Sequence, residues 1–222
     1  MPILLKQLIQ NYKSLMLGST PPELIDRVVH EQTSRRQSVW FKSVLRAGHQ
    51  APDINLPVSG EPNSEWVPLS RLLQHGPVLL KFYRGRWCPF CTLELKAYQK
   101  LMPALEQAGV RLIAITGESP EKIALTRRHD MLSFDCVHDT GLNIAREFGL
   151  AYSLGPAEIE LYQRHSCLTD QCSESHKMEL PLPALYLIGA DRKILHAHVS
   201  TDASERAEPA QLIRLIQQNA FE

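Results

Sequence analysis

The sequence has no apolar run approaching the ~20 residues that a membrane-spanning helix requires. It has no charge imbalance either: 24 Lys and Arg face 24 Asp and Glu. That balance removes any general attraction to nucleic acid or to an anionic membrane surface. There is no internal repeat, no low-complexity segment and no second C-x-x-C. Five cysteines, an odd number at uneven spacing, do not make the disulfide framework of a secreted domain. The opening stretch MPILLKQLIQNYKSLML does not read as an export signal. One basic residue precedes position 10, polar residues interrupt the apolar run, and no A-x-A-like cleavage site follows. These absences point to the reducing cytoplasm.

What is present suits one domain with an extension. The chain has 222 residues, 44% of them hydrophobic, enough for a full core without staples or metal. Residues 1–47 read as an N-terminal helical extension and 48–222 as the main domain. In the extension Leu4, Leu8, Tyr12 and Leu15 repeat at helical spacing, with Leu5, Ile9 and Met16 beside them. Thr20, Pro21 and Glu23 look like an N-cap, a first-turn proline and a capping-box acid. Leu24, Ile25, Val28 and Val29 then supply the apolar stripe of a second helix. Gly48 to Pro68, rich in proline, reads as a join or hairpin.

Beyond it the pattern alternates. Residues 77–83 form a nearly continuous apolar run, as in a strand buried on both faces. A helix is expected from Cys88 to about Ala108, with Leu93, Ala97, Leu101 and Leu105 on one stripe and a bend at Pro103. Strands at 110–116 and 134–138 flank a helix capped by Ser119 and Pro120, and Asp139 caps another helix through Phe148. Strands at 184–189 and 193–199 are separated by the hairpin signal Ala190-Asp191-Arg192. A last helix starts near Pro209 and carries Leu212, Ile213 and Ile216. A parallel βαβ unit followed by an antiparallel hairpin and a closing helix predicts an α/β, thioredoxin-like fold, a central mixed sheet flanked by helices.

Chemistry concentrates at Trp87-Cys88-Pro89-Phe90-Cys91. A cysteine pair where a buried strand gives way to a helix puts Cys88 at the N-cap and Pro89 at the first helical position. There a thiolate meets unpaired backbone N–H groups and the positive end of the helix dipole, both of which lower its pKa. Arg84 and Arg86 add positive potential. Cys91 follows one turn later, in position to attack a mixed disulfide or a sulfenic acid on Cys88. Trp87 is expected to shield the thiols.

This motif resembles the thioredoxin and glutaredoxin active site, which implies Cys88 as nucleophile. The longer string from Phe82 to Glu94 resembles the active-site segment of peroxiredoxins (the AhpC/TSA family). Ala51-Pro52-Asp53-Ile54-Asn55-Leu56 resembles that family's entry strand. The hairpin at 184–199 and the segment Glu205–Pro209 resemble its C-x-x-C branch. The resemblance spans residues 50–217. Position by position, the peroxiredoxin pattern P-x-x-x-T-x-x-C places its peroxidatic cysteine on Cys91, its proline on Arg84 and its threonine on Cys88. That family's second arginine falls on or near Pro183. Pro183 in turn resembles the cis-proline that faces the dithiol in thioredoxins. A cis Leu182–Pro183 bond is therefore expected, with a trans proline opening a strand as the alternative. The two resemblances disagree about the nucleophile, so the pair is read as one dithiol/disulfide unit, with Cys88 as the more exposed sulfur.

The resemblance implies reduction of hydroperoxides or of protein disulfides, no cofactor, and an external thiol reductant such as a thioredoxin or glutathione system. Neither nucleic acid nor membrane is expected as a partner, and a homodimer is compatible with it. A thioredoxin-like thiol–disulfide oxidoreductase is the alternative enzyme. A redox- or zinc-responsive interaction protein is the alternative without catalysis. That last reading draws on His165, Cys167, Cys172 and His176, which are metal-ligand types within one loop. Their spacing matches no standard zinc site, so no metal is assigned. A second disulfide, or a resolving role for Cys167 or Cys172, is the other use such a loop offers. Cys136 reads as an inert buried thiol, and His196 and His198 as neighbours on one sheet face.

Overall fold

Strand β3 (Val78–Phe82) is buried along its whole length, which its sequence VLLKF makes favourable except at Lys81. It lies at the centre of a five-stranded sheet ordered β5-β4-β3-β8-β9. β4 (Arg111–Thr116) and β5 (Asp135–His138) run parallel to it, whereas β8 (Ala184–Ile188) and β9 (Ile194–Val199) form the antiparallel hairpin. Parallel neighbours need crossovers, supplied by α5 (Pro89–Gln99) with α6 (Met102–Gln107), and by α7 (Pro120–His129). The computed structural model describes residues 4–58, 64–165 and 178–218.

The remaining elements frame this sheet. Helices α1 (Leu5–Gly18), α2 (Pro22–Gln37) and α3 (Val39–Ser43) precede a small antiparallel pair, β1 (Asn55–Pro57) and β2 (Trp66–Pro68), and the short helix α4 (Leu69–Leu72). After β5 come α8 (Asn143–Glu147), β6 (Ala151–Ser153) and α9 (Pro156–Arg164). β7 (Glu179–Pro181) pairs with β6, and α10 (Pro209–Gln218) closes the chain. One apolar cluster joins Leu24, Val28 and Val44 to Phe82, Phe148 and Tyr186; the other joins Leu5 and Ile9 to Cys88, Phe90 and Cys91. The first helices thus share their buried faces with the sheet domain, each fully buried leucine or isoleucine contributing about 1.5–3 kcal/mol.

Several local expectations are corrected. The buried face of α5 is Phe90, Cys91, Glu94, Leu95 and Tyr98, one position round from the anticipated stripe; Leu93, Ala97 and Leu101 are only partly covered. Glu94 can occupy that face because cations meet it there. On α1 the buried residues are Leu5 and Ile9, while Leu4 and Leu15 face solvent. Thr20 does not cap α2: its hydroxyl donates to the Met16 carbonyl, and the helix starts at Pro22. Carboxylates cap other helices, from far along the chain in two cases and, at Asp139, from the local position that was expected. Glu31 accepts from the N–H groups of Ala157 and Glu158 at the start of α9, Asp139 from those of Ile144 and Ala145 in α8, and Glu208 from those of Leu5 and Lys6 in α1.

The Leu182–Pro183 bond is trans, since no peptide bond among the described residues is cis. The chain passes extended from β7 into β8, with Leu182 N–H bonded to the Leu150 carbonyl, and no tight turn calls for the cis form.

Candidate functional site

Cys88 stands at the N-cap of α5 with extended backbone, Pro89 takes the first helical position, and Cys91 N–H donates to the Cys88 carbonyl at 3.0 Å. The two sulfurs therefore meet one turn apart, and the Cys91 thiol donates a hydrogen bond to Cys88. Both are wholly buried, so Cys88 is not the more exposed sulfur that a helix-start position suggested. Leu5 and Ile9 of α1 share their apolar cluster, and Tyr12 meets Phe90 edge-on at 5.6 Å between ring centres.

No hydrogen bond runs from the start of α5 to the Cys88 side chain. A guanidinium takes that part. Arg84 Nη2 donates to Cys88 Sγ at 3.1 Å, and its Nη1 donates to the Tyr162 hydroxyl at 2.5 Å. Its carbon lies 5.0 Å from the centre of the Trp87 ring and 4.8 Å from that of Tyr162, so two aromatic faces fix it. Trp87 and Tyr162 themselves meet edge to face at 5.7 Å. Arg86 points elsewhere: its backbone N–H donates to Glu118, and its guanidinium reaches the Leu125 carbonyl on the surface.

Behind Cys91 sits a set of charges. Arg206 Nη2 approaches Cys91 Sγ at 3.6 Å, and Arg206 Nε pairs with Glu94 Oε2 at 2.9 Å. Glu94 Oε1 pairs with Lys81 Nζ at 2.9 Å, and Lys81 also donates to the Ala184 carbonyl at 3.2 Å. All three side chains are buried. Pro183 immediately precedes that carbonyl-bearing residue.

These surroundings split the two sulfurs. Burial alone raises Cys88, but the Cys91 hydrogen bond and the Arg84 and Arg206 charges outweigh it and hold Cys88 well below the ordinary cysteine range. Burial pushes Cys91 up, and donating to Cys88 beside its negative charge pushes it well above that range. The resting pair is one thiolate and one thiol sharing a proton-bearing contact. Cys136, pushed up to about 12 by burial, stays a neutral thiol.

Next to the pair lies a cleft of about 320 Å³ lined by Arg84, Trp87, Glu118, His138, Arg146 and Glu179, among others. Gly85, between Arg84 and Arg86, has φ +142° and no room for a side chain between Glu118 and Trp87. Burial raises the Glu118 carboxyl, opposed by the Arg86 backbone N–H.

The structure thus brings Cys88, Cys91, Arg84, Trp87 and Pro89 together, and leaves Arg86 aside. Lys81, Glu94, Tyr162 and Arg206 were not anticipated. A lysine inside an otherwise apolar strand was the available signal, because a buried ammonium demands a partner. The second guanidinium near the pair comes from Arg206, not from the neighbourhood of Pro183 where the pattern placed one. Of the loop residues, His165 Nε2 lies 2.9 Å from the Thr20 hydroxyl, while Cys167, Cys172 and His176 lie outside the described residues. Among the described residues no three ligand-type side chains gather to hold a metal ion, and no helix is long and apolar enough to cross a membrane.

Comparison with known proteins agrees with this architecture. The AhpC/TSA family model matches residues 47–197. Peroxiredoxin Bcp of Escherichia coli K12 is 30% identical over 106 residues, 48% of this chain and 65% of that protein. Thiol-disulfide oxidoreductase ResA of Halalkalibacterium halodurans is 34% identical over 111 residues, 49% of this chain and 60% of that protein. The matched stretch is therefore less than two thirds of either relative. Among solved structures, peroxidoxin BcpB of Mycobacterium tuberculosis superposes with a TM-score of 0.58 at 20% identity, covering 78% of this chain and 97% of that one. Peroxiredoxin Q of Xanthomonas campestris gives 0.58 at 16% identity over 78% and 98%.

Proposed function

Because this chain belongs to the AhpC/TSA family, we propose that it is a thiol-dependent peroxidase in which Cys88 attacks and Cys91 resolves. The observation that carries the assignment is the split between the sulfurs, Cys88 held ionised by Arg84 and Cys91 held protonated. The thiolate is the form that attacks peroxide. Cys88 takes the terminal oxygen of the hydroperoxide as the O–O bond breaks, and the departing alkoxide picks up a proton from water. Cys91 then attacks the Cys88 sulfenic acid; its proton leaves with the hydroxyl as water, and a Cys88–Cys91 disulfide remains. An external dithiol, of thioredoxin type or glutathione-based, restores the pair by exchange. The cleft beside Arg84 and Trp87 offers the approach. Work of this kind suits the cytoplasm, where the resting thiols stay reduced.

A second reading, dedicated thiol–disulfide exchange, is favoured by the C-x-x-C at a helix start and by the ResA match. Separate Cys88→Ser and Cys91→Ser variants decide between them. Peroxide consumption should vanish in the first, while the second should retain one turnover and accumulate a sulfenic acid trappable by dimedone. Insulin reduction without peroxide turnover in the wild type would instead establish exchange. Absence of both activities would establish a non-enzymatic role.

A further inference from the structure

Four buried charged side chains form a set around the two sulfurs, the cations Lys81, Arg84 and Arg206 and the carboxylate Glu94, while Glu118, also buried, lines the cleft beside Arg84. With Cys88 ionised, three positive charges meet two negative ones and leave one in excess. Closing the Cys88–Cys91 bond abolishes the thiolate, and the excess becomes two. Unpaired charge in a dry interior is costly. An arginine does not shed a proton, whereas a buried lysine does so readily. Within this set only Lys81 can return the count to one.

We propose that Lys81 releases its proton when the Cys88–Cys91 disulfide forms and recovers it on reduction, making it a positioning residue that couples the redox state of the pair to one proton. The physical link is continuous: Lys81 Nζ to Glu94 Oε1, Glu94 Oε2 to Arg206 Nε, and Arg206 Nη2 to Cys91 Sγ, with separations of 2.9, 2.9 and 3.6 Å. The groups facing Lys81 are Glu94 and Cys91 from α5, Arg206 from the segment before α10, and His198 from β9. Burial already holds Lys81 below the ordinary lysine range, opposed by Glu94 and aided by Arg206. Loss of the thiolate removes a further anion from that balance. A neutral amine still donates to the Ala184 carbonyl and stays 2.9 Å from Glu94 Oε1.

On reduction, two electrons from an external dithiol open the protein disulfide. Cys88 departs as thiolate, Cys91 takes one proton and Lys81 the second. The dithiol supplies both protons and closes to its own disulfide. The equilibrium constant against dithiothreitol should therefore be flat with pH, over the range where Cys88 is ionised and dithiothreitol is not. In Lys81→Met only one proton is taken up, so the constant should rise about tenfold per pH unit. Lys81→Arg, whose charge is permanent, should show the same slope and serves if the methionine variant does not fold.

A tenfold slope in the wild type, or a flat line in both variants, would overturn the proposal. It rests on the pair cycling as one dithiol. If mass spectrometry shows that peroxide never closes the wild-type disulfide, the function proposed above fails and takes this coupling with it. A disulfide that closes but follows the tenfold slope sinks the coupling alone.

Discussion

The Arg84 guanidinium donates to the Cys88 sulfur across 3.1 Å at a position where the family's pattern carries proline. It brings a charge to the thiolate that a proline cannot. In this chain, therefore, the first cysteine of the pair is the ionised one.

Arg84→Met should move the ionisation of Cys88 toward the ordinary cysteine value. The wild-type pKa is depressed, so the reactive thiolate is lost only as pH falls through that lowered value. The same ionisation contributes stability above the ordinary value that fades as pH drops through the depressed one. In the variant, peroxide consumption at pH 7 should fall by at least about tenfold, and the inflection of iodoacetamide alkylation against pH should shift upward.

Glu94→Gln strands Lys81 and Arg206 without their counter-charge. Removing one member of a buried ion pair costs about 3–5 kcal/mol, a loss that urea unfolding would register. Adding Lys81→Met to that background should restore part of the loss, because one stranded cation is then removed.

Ile9→Ala opens a void between α1 and the apolar cluster around the sulfurs. A truncation of this size typically costs about 2–5 kcal/mol. Alkylation of Cys88 by a bulky maleimide should accelerate, with little change in its rate toward hydrogen peroxide. Equal acceleration with both reagents would show that α1 does not limit access by size.

Gly85→Ala forces a side chain onto a backbone with φ +142°, with its Cβ 2.6 Å from both the Glu118 carboxyl carbon and the Trp87 ring nitrogen. The cost should exceed about 1 kcal/mol. Tryptophan fluorescence should shift as Trp87 moves away from Arg84.

The five strands of the sheet were legible because β3, β4 and β8 are apolar runs bounded by turn residues and β5 and β9 follow at strand spacing, and each stands within a residue or so of where the pattern placed it; their lateral order was not read from the sequence. The helix start at Cys88-Pro89 was legible for the same local reason. Charge buried by partnership was not. Glu94 looks like a solvent-facing residue until Lys81 and Arg206 arrive from elements distant in sequence, so the apolar stripe of α5 was placed one position off. Capping divided in the same way. Asp139 caps α8 from the local position the sequence indicated, whereas the local rule that points to Thr20 fails, and α1 and α9 are served by Glu208 and Glu31, which the fold brings from far along the chain.

Glu208 receives the first N–H groups of α1, and two residues before it Arg206 grips the sulfur site from the other side. One short stretch of backbone thus fastens both the roof over the thiols and a cation that faces them. Anything that pries the roof away pulls on the same stretch and slackens that cation's hold. A large reagent that forces its way in would meet a sulfur less strongly charged than the one a small reagent meets with that roof in place.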